Sequence, residues 1–296
     1  EIVLGMPHRG RLNVLTNVMS KLNDTCLLFN RTSGRYSKYF KGLMDEITLW
    51  TRALSKEEIR ALRHRTKNEA MIAADSDLLG YYQFNKDFSG DIMNAVGNRH
   101  GVLKGNATIA TSGAPVGGGL SERKTINGSG EYDFSTVGTK LKINDCSDSD
   151  GEIVITKINE QPFLPPSMNA HAGSYWIINH YGETTQLSPL DSIELTATDA
   201  SFTSGLSNTS DAYLHTRSEH SDAFEWTTTA SAKNKTGQTF KFGKSNKVRS
   251  AMQFFMTNSG NAFTETDAVS DCQPDTLPSK SMYLLGDGST HAILPA

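Results

Sequence analysis

The sequence predicts an all-β protein, mainly antiparallel sandwich, with one short helix. Three observations carry this. After residue 130 nearly every apolar run is short and strand-like, and the runs are divided by clusters of Gly, Asn, Ser and Asp. No amphipathic helical pattern lies between those runs, as a doubly wound α/β chain would require. A helix-start signal stands out at one place, residues 54–59.

The strand candidates after residue 130 are Glu131–Phe134, Thr139–Ile143, Glu152–Ile158, Ser174–Tyr181, Ile193–Thr198, Ala223–Thr228, Thr239–Phe242 and Met252–Thr257. Their spacing suits an antiparallel sandwich. Earlier, FKGLMDEITLW (40–50) reads as a strand with Leu43, Asp45, Ile47 and Leu49 on one face and Met44, Glu46, Thr48 and Trp50 on the other. Ser55 then fits an N-cap whose hydroxyl accepts from the Glu58 amide, while the Glu58 carboxylate reaches back to the Ser55 amide. Leu54 and Ile59 occupy hydrophobic-staple positions, and a short helix over about 56–64 follows. Residues 78–84, LLGYYQF, read as another strand. Residues 1–21 are basic and helix-compatible toward their end, and 112–130 read as loop.

The chain has 296 residues, with 29 Lys+Arg against 32 Asp+Glu, 37% apolar and 21% charged residues. That length suits one large domain or two medium ones. The charge balance argues against a general nucleic-acid binder, which carries a basic excess. No apolar run approaches the ~20 residues of a membrane helix. The first residue is Glu, so the start reads as a cut end. Cys26, Cys146 and Cys272 are too few and too far apart for a disulfide framework or a four-ligand zinc site.

FKGLMDEITLWTRALSKEEIRAL (40–62) resembles the closing segment of laminin-G-like and pentraxin-like (concanavalin A-like) jelly rolls, with F-x-G, then D-E, then an aromatic at the strand end, then R-A-L-S-x-E-E-I. LLGYYQFNKDFSGDIMNAVGNRHG (78–101) looks like that family's last strand and tail. The resemblance covers about 27–110 and implies the C-terminal part of such a domain. An incomplete domain is expected to leave an apolar face of the 40–50 strand open, with some of Leu43, Ile47, Leu49 or Met44, Trp50 exposed. APVGGG through YWIINHYG (114–182) is similar to β-modules that follow laminin-G-like domains in large secreted bacterial surface proteins. LLGDGSTHAILPA looks like the first strand of a further domain of the kind. GMPHRGRLNVL, within 1–21, closely resembles a segment of the E1 subunit of 2-oxoglutarate dehydrogenase, a thiamine-diphosphate enzyme. The domain reading is therefore 1–26 foreign-looking, 27–110 partial laminin-G-like, 111–270 β-sandwich module, and 271–296 a linker and the start of a further domain.

The E1 resemblance implies that His8 borders an active site. Its metal motif would be Gly-Asp-Gly followed by a distant Asn; only eight residues follow Gly288, so Asp287 is not read as a ligand. The calcium-loop candidate is Asp145, Asp148 and Asp150, which lack the closing Glu of an EF-hand. Asp45 and Glu46, adjacent on a strand, point to opposite faces and so do not make an acid–base pair; one is expected to face inward and accept hydrogen bonds. Calcium binding is the family-implied alternative for them. His215 and His220, near Glu219 and Asp222, read as solvated surface rather than a metal pair. Tyr175, Trp176, Tyr181 and Trp226 could stack on sugar, with core the preferred reading for Trp176 and Trp226. Gly117-Gly118-Gly119 lacks the Lys of a phosphate loop. The expectation is a non-catalytic structural or adhesive fragment of a secreted or cell-surface bacterial protein. Its ligands would be carbohydrate or protein, its only cofactor candidate calcium. The rival is a fragment of the E1 enzyme, with His8 catalytic and thiamine diphosphate bound.

Overall fold

The computed structural model describes residues 12–17, 42–85, 87–88, 91–104, 107–143, 151–166, 170–182, 186–218, 225–243, 247–249, 251–258, 280–284 and 291–293. The chain divides into two compact units, one drawn from residues 1–59, 67–114 and 274–296 and the other from 60–66 and 115–273. The described residues are mainly strand, as the sequence predicts, and include no helix long and apolar enough to cross a membrane.

In the first unit β1 (Leu12–Asn17) runs parallel to β2 (Gly42–Trp50). The end of the 1–21 segment was expected to be helix-compatible; its described part is strand. Val14 and Thr16 are β-branched, and the edge of β2 offers backbone partners, whereas a short isolated helix is marginal. β3 (Leu78–Tyr82) lies antiparallel to β2, with Ile47 opposite Tyr82 and Thr48 opposite Tyr81. β4 (Asp87–Phe88), β5 (Asp91–Ile92) and β6 (Gly101–Lys104) make a small antiparallel ladder, and β7 (Thr108–Thr111) follows. Met44, Ile47, Tyr82, Phe84, Ile92 and Ala107 form the core.

Two expectations for β2 need correction. Met44 and Ile47, three residues apart, share that core, so the two-residue repeat is broken between them. The break falls at Glu46, whose φ of 52° is left-handed, a conformation costly for a side-chain-bearing residue. The apolar residues expected to be exposed are covered in this unit, which includes residues outside 27–110: Met44, Ile47 and Trp50 are buried and Leu43 and Leu49 half-buried.

The capping box at the start of α1 (Lys56–Leu62) forms as read: Ser55 N donates to Glu58 Oε2 at 2.7 Å, and Glu58 N donates to Ser55 Oγ at 3.2 Å. Arg52 adds a two-pronged bond to the same carboxylate, 2.6 and 2.9 Å. The staple is less complete, since Ile59 is exposed. Two further short helices, α2 (Glu69–Ala73) and α3 (Ala200–Ser204), carry N-caps at Asn68 and Asp199. Replacing Ser55 by alanine is expected to cost about 1 kcal/mol. Arg52 first, then the Ser55 amide, hold the Glu58 carboxyl down to about 2, below its usual 4.5. A depressed acid stabilises the fold above its unfolded value and loses that effect as pH falls through the folded one. The deficit of Glu58→Gln in helix hydrogen-exchange protection should therefore be full above pH 4.5 and fade toward pH 2.

The second unit contains β8 (Gly119–Ile126), β9 (Gly130–Phe134), β10 (Thr139–Ile143), β11 (Gly151–Ile158), β12 (His171–Tyr181), β13 (Gln186–Thr196), β14 (Tyr213–Ser218), β15 (Thr227–Thr236), β16 (Thr239–Phe242), β17 (Lys247–Arg249) and β18 (Ala251–Thr257). They form one antiparallel sheet in the order β8-β11-β12-β18-β14-β15-β16-β13-β10-β9, with β17 added on β13. The two ends of this path, β8 and β9, are consecutive in the chain and joined by a tight turn through Gly128, φ 98°. The sheet thus curls almost back on itself, with β15 passing from one half to the other at a register break between Ala232 and Asn234. The inward side chains, including Phe134, Leu141, Ile153, Trp176, Leu195, Phe240 and Phe254, form the main core. On the outer face Ile158, Tyr175, Ile177, Trp226 and Phe255 make a second cluster, against which Leu164 packs.

Two late strands return to the first unit. β19 (Lys280–Leu284) pairs with β2 and β7, and β20 (His291–Ile293) pairs with β6.

Candidate functional site

The densest polar cluster of the first unit grows from the Asp45-Glu46 step of β2. Both carboxylates are buried, at 0% and 5% exposure, where the sequence led us to expect one facing inward. Asp45 Oδ2 accepts from Ser112 Oγ at 2.7 Å, and its Oδ1 accepts from Glu46 N at 3.0 Å. Ser112 Oγ in turn accepts from Ala114 N at 3.0 Å. Glu46 Oε2 accepts from the Tyr81 hydroxyl. That hydroxyl also accepts from Lys67 N at 3.0 Å and Gln83 Nε2 at 3.1 Å. Lys67 Nζ pairs with Asp75 at 3.1 Å and sits 4.7 Å from the Trp50 ring centroid. Burial, then the neighbouring Asp45, pushes the Glu46 carboxyl well above the usual carboxylate range, against the Tyr81 bond. Burial, then the Glu46 charge, pushes the Tyr81 hydroxyl up.

A raised carboxyl beside a tyrosine is the pattern of a general acid. Such an acid must reach a substrate, and here neither carboxylate is exposed. Bonds between the elements that flank β2 are what the cluster provides. Sequence reasoning found Asp45 and Glu46 but missed Tyr81, Lys67 and Ser112. The doublet Tyr81-Tyr82, which places one ring on each face of a strand, was the available signal.

In the second unit His215 and His64 are structural. His215, expected on the surface, is fully buried on β14. Its Nε2 lies 2.8 Å from Thr257 Oγ1 and its Nδ1 3.0 Å from Thr228 Oγ1. Both nitrogens are engaged by cross-strand hydroxyls, which leaves neither for a metal. The apolar company of β14 buries it, a feature its polar sequence, YLHTRS, does not announce. His64 is buried too, and its Nδ1–H donates to the Pro115 carbonyl at 2.9 Å. Burial first, then the charge of Arg63, lowers it to about 3, so it is neutral at physiological pH.

The aromatic candidates separate. Tyr175, Trp176 and Trp226 are buried and offer no stacking face to a sugar. Trp176 Nε1 donates to the Val137 carbonyl at 2.9 Å, and Trp226 Nε1 to the Leu164 carbonyl at 2.9 Å. Tyr181 is half-buried, with the Arg60 guanidinium 4.0 Å from its ring centroid. Arg60 and Arg123 share Glu152, at 2.8 and 3.0 Å. Arg217, buried, lies 4.3 Å from the Trp226 ring and donates to the Phe163 carbonyl at 3.2 and 3.3 Å and to Gln253 at 3.0 Å. The strap of residues 159–166 is thereby tied to the sheet at two successive carbonyls.

His8, His220, Asp287, the cysteines and the calcium candidates Asp145, Asp148 and Asp150 lie outside the described residues. Among the described residues no group of three or more His, Cys, Asp or Glu side chains is placed to hold a metal ion.

Fold and site together define a mainly β protein of two compact units whose chemistry-bearing side chains bind strand to strand. Compared with family models, curated proteins and solved structures, the chain matches none.

Proposed function

We propose that the chain is a non-catalytic, structural or adhesive part of a multidomain secreted or cell-surface protein, with a carbohydrate or a protein as its ligand. One observation supports this most: Asp45, Glu46, His64, His215 and Arg217 are each exposed by 5% or less and are bonded to neighbouring elements. Groups so enclosed build a scaffold, and a scaffold presents ligands with its surface. The resemblance of residues 40–62 to laminin-G-like jelly rolls favours an extracellular, bacterial cell-surface setting and leaves calcium as the candidate cofactor.

The test is a glycan array and a panel of extracellular-matrix proteins probed with the intact chain, with and without calcium. Saturable binding to a defined subset is expected. In parallel, titration calorimetry with thiamine diphosphate and Mg²⁺ is expected to give no saturable heat. Saturable heat there, with no binding on either panel, would replace the adhesive reading with the E1-fragment reading and its His8.

A further inference from the structure

We propose that Glu46 and Tyr81 form a proton-operated latch between β2 and β3: Glu46 is held in the folded first unit as a neutral carboxylic acid, and loss of its proton to water loosens the pairing of the two strands.

The geometry of the hydroxyl sets the position of the proton. A tyrosine hydroxyl has one hydrogen to donate and two lone pairs to accept with. Tyr81 accepts from Lys67 N and Gln83 Nε2, so its own hydrogen points at Glu46 Oε2. Oε2 is therefore an acceptor, and a proton carried by this carboxyl sits on Oε1. Oε1 is buried and has no hydrogen-bond partner among the described residues. In the acid form it is a buried hydroxyl with no protein acceptor among the described residues. In the ionised form the carboxylate has Tyr81 as its one donor among the described residues, beside the buried Asp45. The second state is far costlier, because a buried charge needs more than one bond to replace its water.

Among the described side chains the groups facing Glu46 point the same way. On β2 itself the neighbour is Asp45, which raises the cost of a negative charge. From β3 comes Tyr81 and, from the residue just after the strand and through that hydroxyl, Gln83. From the segment before α2 comes the Lys67 amide, also through that hydroxyl, while the Lys67 ammonium is engaged by Asp75. From the segment after β7 comes Ser112, bonded to Asp45. The left-handed backbone at Glu46 adds a conformation that only the surrounding contacts maintain.

On ionisation the carboxyl O–H bond breaks, its electrons stay on Oε1 and the proton passes to water. An acid whose folded value lies above its unfolded one stabilises the fold fully below the unfolded value and loses that effect as pH rises through the folded one. The first unit is thus tighter in acid and looser as pH rises.

Two measurements on the intact chain test this. Infrared spectra across a pH series should show a protonated carboxyl that outlasts the ordinary glutamates, absent in Glu46→Gln and retained in Glu160→Gln, which removes the other glutamate whose carboxyl burial raises. Hydrogen exchange of β2 and β3, corrected for intrinsic rates, should lose protection as that band disappears. Tyr81→Phe, which removes the donor favouring the charged form, should move both transitions to higher pH. The proposal is overturned by a wild-type spectrum without such a band, by β2–β3 protection that ignores pH, or by a Glu46→Gln chain that keeps the wild-type pH dependence.

Discussion

Replacing Trp176 by alanine is expected to destabilise the second unit by about 3–5 kcal/mol, the usual range for a buried aromatic. The indole is fully buried in the main core between the halves of the curled sheet. Its Nε1 also donates to the Val137 carbonyl at 2.9 Å, and the truncation would leave that carbonyl with the longer bond from Thr139 Oγ1 at 3.4 Å. Domains of this size are stable by only ~5–15 kcal/mol, so the loss takes a large share of the total. Urea unfolding followed by far-ultraviolet circular dichroism should show the midpoint falling while the slope stays constant. A sugar-stacking Trp176 would behave in the opposite way. An exposed platform residue can be removed for about 0.5 kcal/mol or less, with binding lost and folding kept. Unchanged stability together with lost glycan binding would therefore defeat the core assignment.

The same residue shows what was legible in the sequence. Trp176 sits among Tyr175, Ile177 and Ile178, an unbroken apolar run, and a strand buried on both faces writes itself that way. The structure buries one set of these residues in the main core and the other beneath the strap. The capping box was equally plain, because its partners are three residues apart and owe nothing to tertiary contacts. Long-range features were not. β8 reads as loop in the sequence because its stretch GLSERKTI has the polar surface of an end strand; of its side chains only Ile126 is buried. β14 was missed because its buried positions include His215, Thr216 and Arg217, whose partners come from β15, β18 and the strap. At Glu46 the two-residue alternation fails through a single left-handed backbone angle, which no pattern of apolar letters encodes. The buried acid cluster was half legible: the carboxylates were noticed, but Tyr81, Lys67 and Ser112 lie 21 to 67 residues away along the chain.

A graded response is expected across the glycine triplet 117–119. Gly119→Ala should be severe, costing at least the 1–3 kcal/mol typical of overpacking. Gly118→Ala should stay within about 0.5 kcal/mol. The reason is the distance between β8 and β11. A Cβ at Gly119 would lie 1.9 Å from the Lys157 carbonyl oxygen and 3.1 Å from the Ile158 Cα. Those are backbone atoms of the paired strand, in a register that sets Ile158 opposite Gly119, and no side-chain rotation can relieve them. At Gly118 a Cβ would meet nothing within 4 Å. Gly117 is intermediate, since its new Cβ would meet Glu160 Oε1 at 2.1 Å and Ile158 Cγ2 at 2.5 Å, both side-chain atoms, the glutamate one at the far end of its side chain. The triplet's glycines are thus explained by strand approach, with no phosphate required. A phosphate-cradling triplet would instead need all three backbones free to approach an anion. Its alanine variants would then lose anion affinity together while their unfolding midpoints remained alike. Denaturation midpoints ordered Gly118→Ala, Gly117→Ala, Gly119→Ala from highest to lowest are what the strand-packing account requires, and equal midpoints for the three would refute it.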